Sequence, residues 1–181
     1  MRGLVRAGLQ SASIMTVADV ATQFFVEGRS FPPTKTTKLV AEGTLHYDPS
    51  RTLRWTAAGL VIHGPYFFAS MSRVDAFFGP ATSFLNVAKK TAFAQFVVFP
   101  PYLVALFASM GWMEGCDDVR EKVVSRVPEA FLGGCAFWPV ANAINFSFVP
   151  GSMRVPYLAG VGSLWNCFLS WLNAREGSGA N

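Results

Sequence analysis

Charged residues are scarce in this chain: Asp, Glu, Lys and Arg make up 14% of its 181 residues, whereas a soluble domain contains about 25%. Histidine is limited to His46 and His63, and the three cysteines, Cys116, Cys135 and Cys167, form no C-x-x-C pair. A zinc site or a disulfide framework needs closer or paired spacing. The pattern therefore predicts no metal site, unpaired and mostly buried thiols, and a His63 that is satisfied by a single neighbour.

Motifs for catalysis and for nucleotide binding are also missing. The G-x-G at Gly160 and Gly162 lies inside an apolar stretch rather than between a strand and a helix. There is no G-x-S-x-G elbow, and no nucleophile is patterned to either histidine. Basic residues are scattered and form no run of five or six. The sequence predicts no enzyme, no cofactor and no nucleic-acid partner, while the net charge of +4 suits contact with anionic lipid.

Apolar residues, by contrast, make up 51% of the chain and gather in five stretches, at 4–26, 55–71, 92–113, 131–149 and 155–172. About 20 apolar residues are needed to cross a bilayer core, so each stretch is a candidate span, although the second and fifth are short. The sequence predicts an all-α, polytopic membrane helix bundle with four to five membrane-spanning helices. We expect one domain over residues 1–173 and a flexible tail, rich in Gly and Ser, over 174–181.

Two of these helices are predicted to bend at proline. The third stretch is apolar on every side, which indicates a helix rather than the alternating strand of a barrel. Its Pro100-Pro101 pair removes two backbone donors, and Pro139 removes one from the fourth stretch. The freed carbonyl groups must then be satisfied by neighbouring helices.

Polar side chains inside the stretches are few. Asp19 and Gln23 lie one helical turn apart and share a face. An ionised Asp in a membrane costs about 2.5 to 3.5 kcal/mol on insertion scales unless it is paired or hydrated. Asp19 is therefore either a pore-lining carboxylate or a structural one, bonded to an Arg or a helix terminus of a neighbour.

The same two alternatives, a pore-lining role and a structural role, apply to every predicted interior polar group. Facing one cavity, they would line a hydrophilic path; facing one another, they would form hydrogen bonds between helices. These residues are Asp19, Gln23, His63, Gln95, Asn142, Asn145 and Asn166. Small residues at Gly133, Gly134, Ala159, Gly160, Gly162 and Ser163 are predicted to form the internal seam of the bundle.

Two segments have a recognisable spacing. The chain reads W-P-V-A-N-A-I-N-F-S-F-V-P-G-S-M-R from Trp138 and W-N-C-F-L-S from Trp165. Upstream, Asp48, Arg51, Thr52 and Arg54 precede Gly59, Gly64 and Pro65. These motifs resemble those of the Mpv-seventeen family, also named after the twenty-two-kilodalton peroxisomal membrane protein. The matching positions in the later segment are Trp138, Pro139, Asn145, Phe146, Val149, Pro150, Arg154, Trp165, Asn166, Leu169 and Ser170.

The resemblance implies a small organellar membrane protein that acts as a weakly selective channel or small-solute conduit. The chain is a divergent member, however, because Phe68, Ala94, Asn142 and Ala18 stand at positions where the family usually carries a different residue. Three of these replacements remove or shrink polar groups in the membrane. They move weight toward the alternative, a non-conducting structural accessory subunit of a larger inner-membrane complex, but the conduit stays the first hypothesis.

The basic residues bear on localisation and orientation. The first 17 residues contain Arg2 and Arg6 but no acid, which resembles a mitochondrial presequence. The segment runs on into the first helix, so we expect it to be retained, with the mitochondrial inner membrane as the location and the peroxisomal membrane as the alternative. Arg51, Arg54 and Arg154 are predicted to anchor at the headgroup level or to cap helix C-termini and acids such as Asp48, rather than to bind a diffusible ligand.

The balance of charge also predicts an orientation. With five spans, the N-terminal side receives 6 basic residues: Arg2, Arg6, Arg73, Lys89, Lys90 and Arg154. The other side receives 9: Arg29, Lys35, Lys38, Arg51, Arg54, Arg120, Lys122, Arg126 and Arg175. Because Lys and Arg accumulate on the inner side, the second side is favoured as the inner one.

Overall fold

Five long helices form the part of the chain that the computed structural model describes, which is residues 2–31, 46–79, 83–149 and 154–175. We label them α1 (2–26), α2 (49–78), α3 (Phe84–Glu114), α4 (Val119–Phe148) and α5 (Arg154–Ala174). The predicted all-α class is confirmed. Each of the five apolar stretches lies within one helix, apart from Val149 at the end of the fourth. Most of the predicted tail lies outside the described residues.

The helix ends follow local sequence signals. Asp48 caps α2 by accepting a hydrogen bond from the Arg51 amide at 3.0 Å, with Pro49 in the first turn. Ser83 and Asp118 cap α3 and α4 in the same way. At the other end of α3, Gly115 has a φ of 71° and a left-handed conformation, which glycine adopts without steric cost.

Three helices change from α to π geometry for one turn. The π-helical turns are Thr22–Val26 in α1, Gly59–His63 in α2 and Ala94–Val98 in α3. Turns of this kind are rare and often occur at functional sites. Three of the predicted interior polar residues, Gln23, His63 and Gln95, fall in these turns, one in each.

The prolines that are predicted to bend helices lie within the described helices α3 and α4. The turn Ala94–Val98 directly precedes Pro100-Pro101, and the Tyr66 hydroxyl of α2 donates a hydrogen bond to the Val98 carbonyl at 2.7 Å. Helix α4 continues through both Pro128 and Pro139. The expected bends at Pro100-Pro101 and Pro139 stay predictions.

One described helix, α3, is long and apolar enough to cross a membrane by length and composition, and less than half of its apolar window is buried. Large apolar side chains also lie on the outer surface of the other helices, among them Phe25, Phe77, Leu132 and Leu164. The count of four to five spans stays a prediction.

The core lies around the C-terminal half of α3. Its side chains Tyr102, Leu103, Leu106, Phe107 and Met110 are completely buried. They form one hydrophobic cluster with side chains from the other four helices, namely Met15, Trp55, Ala130, Trp165, Leu169 and Leu172. Helix α3 is thus the element around which the bundle packs.

Helices α1 and α2 approach each other closely at two glycines. A Cβ atom on Gly64 would lie 2.4 Å from the Ala7 carbonyl oxygen, and one on Gly59 would lie 2.7 Å from the Ala12 Cα. Only glycine fits at such distances. The predicted seam is therefore wrong in part: Gly133 and Gly134 do pack against neighbouring aromatic rings, but Cβ atoms on Gly160 and Gly162 would meet nothing within 4 Å.

Candidate functional site: a buried polar network at one end of the bundle

Asp19 lies at the centre of a polar network that joins three helices. Its Oδ1 atom is 2.8 Å from Arg51 Nε and accepts a hydrogen bond from Ser170 Oγ at 2.6 Å. Its Oδ2 atom accepts hydrogen bonds from Thr52 Oγ1 at 2.6 Å and from Gln23 Nε2 at 2.8 Å. The Asp19 side chain is completely buried. Both carboxylate oxygens are thus fully engaged by α1, α2 and α5.

Arg51 carries the positive charge of this network and is itself buried. Its Nη1 donates to both carboxylate oxygens of Glu27, at 2.7 and 2.9 Å, and its Nη2 donates to Ser170 Oγ at 2.7 Å. The Nε–H bond is not aligned with a hydrogen-bond acceptor, so the short contact with Asp19 is electrostatic. Arg29 pairs with Glu27 at 2.7 Å, which leaves two cations and two anions in mutual contact.

Gln23 connects the network to the segment before α2. Its Nε2 donates to the Asp48 carbonyl at 3.0 Å, and its Oε1 accepts from the Asp48 amide at 2.7 Å. The Tyr47 hydroxyl donates to Thr52 Oγ1 at 3.0 Å. Hydrogen bonds from side chains therefore hold the start of α2 against α1, in addition to the backbone hydrogen bonds within each helix.

A second group of charges lies at the same end of the bundle. Glu114, at the C-terminus of α3, pairs with Lys122 of α4 and accepts a hydrogen bond from Asn173 of α5 at 2.8 Å. Arg54 lies between Glu114 and Asp48, at 3.8 and 3.7 Å. With the first group, these residues tie all five helices together. We call the combined set the polar end layer: Asp19, Gln23, Glu27, Arg51, Thr52, Arg54, Glu114, Lys122, Ser170 and Asn173.

His63 and Asn166 lie elsewhere in the interior. His63 Nδ1 is 2.8 Å from the hydroxyl of the completely buried Tyr102, and its ring packs on Phe67. Asn166 is buried, and its Oδ1 has no hydrogen-bond partner among the described residues. Beside it, Trp165 is buried against Phe99.

Gln95 and Asn142 meet at a separate cleft of about 240 Å³ between the N-terminal half of α3 and the middle of α4. Gln95 Nε2 donates to the Phe131 carbonyl at 3.2 Å and contacts Cys135 Sγ at 3.3 Å. Asn142 Nδ2 donates to the Trp138 carbonyl at 2.9 Å. Both amide nitrogens are thus held by the backbone of α4.

The predicted polar residues therefore fall into separate groups. Asp19 and Gln23 share the polar end layer with Arg51 and Arg54, while Gln95 and Asn142 share the cleft with Pro139. Of the predicted structural motif, Gly64 lies at the close contact of α2 with α1 and Pro65 follows it in the same helix. The Trp138 and Trp165 rings lie 6.1 Å apart. Pro150 and the side chains of Asn145 and Arg154 lie outside the described residues.

Several members of the polar end layer were not among the predicted site residues. A signal for Glu27 was present, because Asp19, Gln23 and Glu27 follow one another at intervals of four along α1. Glu114, Lys122 and Asn173 had no such signal, since each comes from a different helix. Within the described residues no group of three or more His, Cys, Asp or Glu side chains could hold a metal, and the three cysteines are free and half-buried.

The amino-acid sequence of this chain is similar to sequences of known proteins. Residues 111–170 match the sequence pattern of the Mpv17 / PMP22 family. The chain is 26% identical to "Mitochondrial inner membrane protein Mpv17" of Drosophila melanogaster, with 95% of this chain and 96% of the relative covered. It is 28% identical to "Protein sym-1" of Neurospora crassa, with 96% and 94% covered. The human "Mitochondrial inner membrane protein Mpv17" is 26% identical over 90% of this chain and 86% of its own length. No solved structure matches.

Proposed function

We propose a non-conducting structural role for this chain, which is a divergent member of the Mpv17 / PMP22 family and is located in the mitochondrial inner membrane. It serves as an accessory subunit of a larger inner-membrane complex. The single observation that carries the proposal is the state of Asp19. This carboxylate, which a pore would require to face water, is completely buried. It accepts hydrogen bonds from three side chains and forms an ion pair with a fourth.

The polar end layer supports this role physically. A conduit for solutes requires polar groups that exchange their bonds with water or with the passing solute. Here Asp19, Arg51 and Gln23 direct their polar atoms at one another and at backbone groups of neighbouring helices. A buried pair of this kind fixes the relative position of helices, because any displacement would leave a charge uncompensated in a medium of low dielectric constant. The layer therefore acts as a clamp between helix ends.

The outer surface is suited to lipid and to partner helices. Exposed Phe and Leu side chains cover the outside of the bundle, as at Phe25, Phe77 and Leu164. In this proposal the partners are membrane lipids, including anionic lipid near the basic residues, and other subunits of the complex. No catalytic step is part of the role.

A weakly selective conduit, the function that the family resemblance implies, is the second candidate. The observation that favours it is the cleft between α3 and α4, where Gln95 and Asn142 provide polar groups within the apolar region of the bundle. The cleft and the buried network around Asp19 share no lining residue. A conducting path would therefore need the clamp to open.

Reconstitution of the purified chain in planar bilayers separates the two candidates. We expect no conductance over a range of voltages, either for the wild type or for Asp19→Asn. Asp75→Asn is the matched control, because Asp75 is an exposed carboxylate paired with Lys90 at 2.5 Å. A conductance whose charge selectivity changes in Asp19→Asn but not in Asp75→Asn would overturn the structural proposal in favour of the conduit.

Native migration in mild detergent tests the accessory role itself. If the chain is a subunit of a larger assembly, it should migrate with that assembly after extraction from mitochondria. Migration as an isolated chain at all detergent concentrations would contradict that part of the proposal.

A further inference from the structure

The cleft between α3 and α4 has an apolar wall with a small polar patch. Among the residues that the structure describes, most of its lining side chains are apolar and none is Asp, Glu, Lys or Arg. The lining includes Ala88 and Gln95 of α3 and Cys135 and Asn142 of α4. An ionised ligand would lose its hydration here without a counter-charge, so the cleft suits a neutral molecule with an apolar body.

The two amide side chains present acceptors to this cleft. The orientation of each amide is fixed by its nitrogen, which donates to a backbone carbonyl of α4: Phe131 for Gln95 and Trp138 for Asn142. The oxygens Gln95 Oε1 and Asn142 Oδ1 accept no hydrogen bond from the described residues, although Gln95 is only 5% exposed. Neither oxygen is among the fully buried polar atoms that lack a partner, so both are accessible to a ligand. An acceptor left unbonded at a site poor in water is destabilising, and the cleft is therefore complementary to a ligand that supplies an O–H group.

The depth of Gln95 strengthens this requirement. Gln95 lies twelve positions after the capping residue Ser83, which is about 18 Å along the axis of α3 at 1.5 Å per residue. Near the middle of a membrane-spanning helix, no water is available to donate a hydrogen bond to an amide oxygen. A lipid that enters from the bilayer can do so.

We propose that this cleft is a binding site for a neutral membrane lipid with a free hydroxyl group. The hydroxyl donates a hydrogen bond to Gln95 Oε1 or Asn142 Oδ1, and the hydrocarbon body packs against the apolar side chains of α3 and α4. The site is independent of the proposed structural function, because it shares no residue with the polar end layer.

The test uses Cys135, which lines the cleft, as a reporter. The chain is placed in nanodiscs of phosphatidylcholine, a lipid without a hydroxyl group, and its thiols are alkylated with a small reagent in the presence of a long-chain alcohol or of the methyl ether of that alcohol. Labelling at each cysteine is followed by mass spectrometry of peptides. We expect the alcohol to protect Cys135 at about fivefold lower concentration than the ether, which is the ratio for one net hydrogen bond. Cys116 and Cys167, outside the cleft, should be unaffected.

Variants then assign the effect to the site. Gln95→Met and Asn142→Leu remove the acceptors while keeping similar volume, and either should reduce the preference for the alcohol. Ala88→Phe fills the cleft and should abolish protection by both probes, whereas Val104→Phe, an exposed position of α3 outside the cleft, should not. Equal protection by alcohol and ether in the wild type would overturn the proposal. So would a preference that persists in both Gln95→Met and Asn142→Leu.

Discussion

Asp19 and Arg51 form an ion pair between α1 and α2, with Asp19 Oδ1 2.8 Å from Arg51 Nε and exposed side-chain fractions of 0% and 5%. The pair lies where the π-helical turn of α1 begins and where α2 starts. Glu27, two helical turns after Asp19 and directly after the end of α1, takes the other side of the same guanidinium. One guanidinium thus joins two acidic side chains at the end of α1 to the start of α2.

Removal of one partner should therefore be costly. Arg51→Gln leaves Asp19 buried without a counter-charge, while Glu27 keeps its pair with Arg29. Loss of one partner of a buried pair costs about 3 to 5 kcal/mol. We expect the free energy of unfolding in detergent to fall by that amount, as measured by denaturant titration. Arg120→Gln, an exposed arginine on the same side of the bundle, should change it by less than about 0.5 kcal/mol.

The pairing itself is tested by a double variant. Asp19→Asn with Arg51→Gln removes both charges, so its loss of stability should be smaller than the sum of the two single losses. Strict additivity would mean that the two side chains do not interact in the membrane-inserted protein, and the clamp would then have to be abandoned.

The glycine contact between α1 and α2 gives a second prediction. Gly64→Ala places a Cβ atom 2.4 Å from the Ala7 carbonyl oxygen, so the helices must separate at a cost of about 1 to 3 kcal/mol. Gly160→Ala is the control, because its Cβ would meet nothing within 4 Å. We expect a lower thermal midpoint for Gly64→Ala and an unchanged or higher one for Gly160→Ala. The reverse order would mean that α5, and not α2, supplies the close contact.

These two glycines also show what the sequence could and could not predict. Apolar runs located the five helices, because length and hydropathy are local properties. For Asp19 the sequence allows two alternatives, a pore-lining carboxylate or a structural one bonded to an arginine of a neighbouring helix. The structure contains the second. Small residues alone, however, do not reveal which helix face meets which. They predict a seam that includes Gly160, which faces open space, and they do not predict the close contact at Gly64. Likewise Glu114, Lys122 and Asn173 come together only through the packing of three helices.

The hydrogen bond between His63 and Tyr102 supports a third prediction. Tyr102→Phe leaves the His63 ring without its polar partner in an aromatic environment, and an interhelical hydrogen bond in a membrane contributes about 0.6 to 2 kcal/mol. We expect a loss of stability in this range on denaturant titration. Adding His63→Phe should recover part of the loss, because the removal of both polar partners leaves no buried group unsatisfied. If the double variant is less stable than Tyr102→Phe, the ring of His63 contributes through packing and not through this bond.

The last prediction concerns the orientation of the bundle. The polar end layer, the connection between α3 and α4 and the C-terminus of α5 lie at one end, and with five spans this end receives 9 of the 15 basic residues. Because basic residues in short connections stay on the inner side of the membrane, we expect this end to face the matrix. Cys116 lies just after α3 at this end and should react with a membrane-impermeant thiol reagent in inside-out inner-membrane vesicles but not in mitoplasts. Lys89→Cys in a Cys116→Ser background reports on the opposite end, where α3 begins, and should show the opposite pattern. Labelling of Cys116 in intact mitoplasts, with Lys89→Cys protected, would reverse the orientation. Labelling of both from one side would require an even number of spans between these two positions.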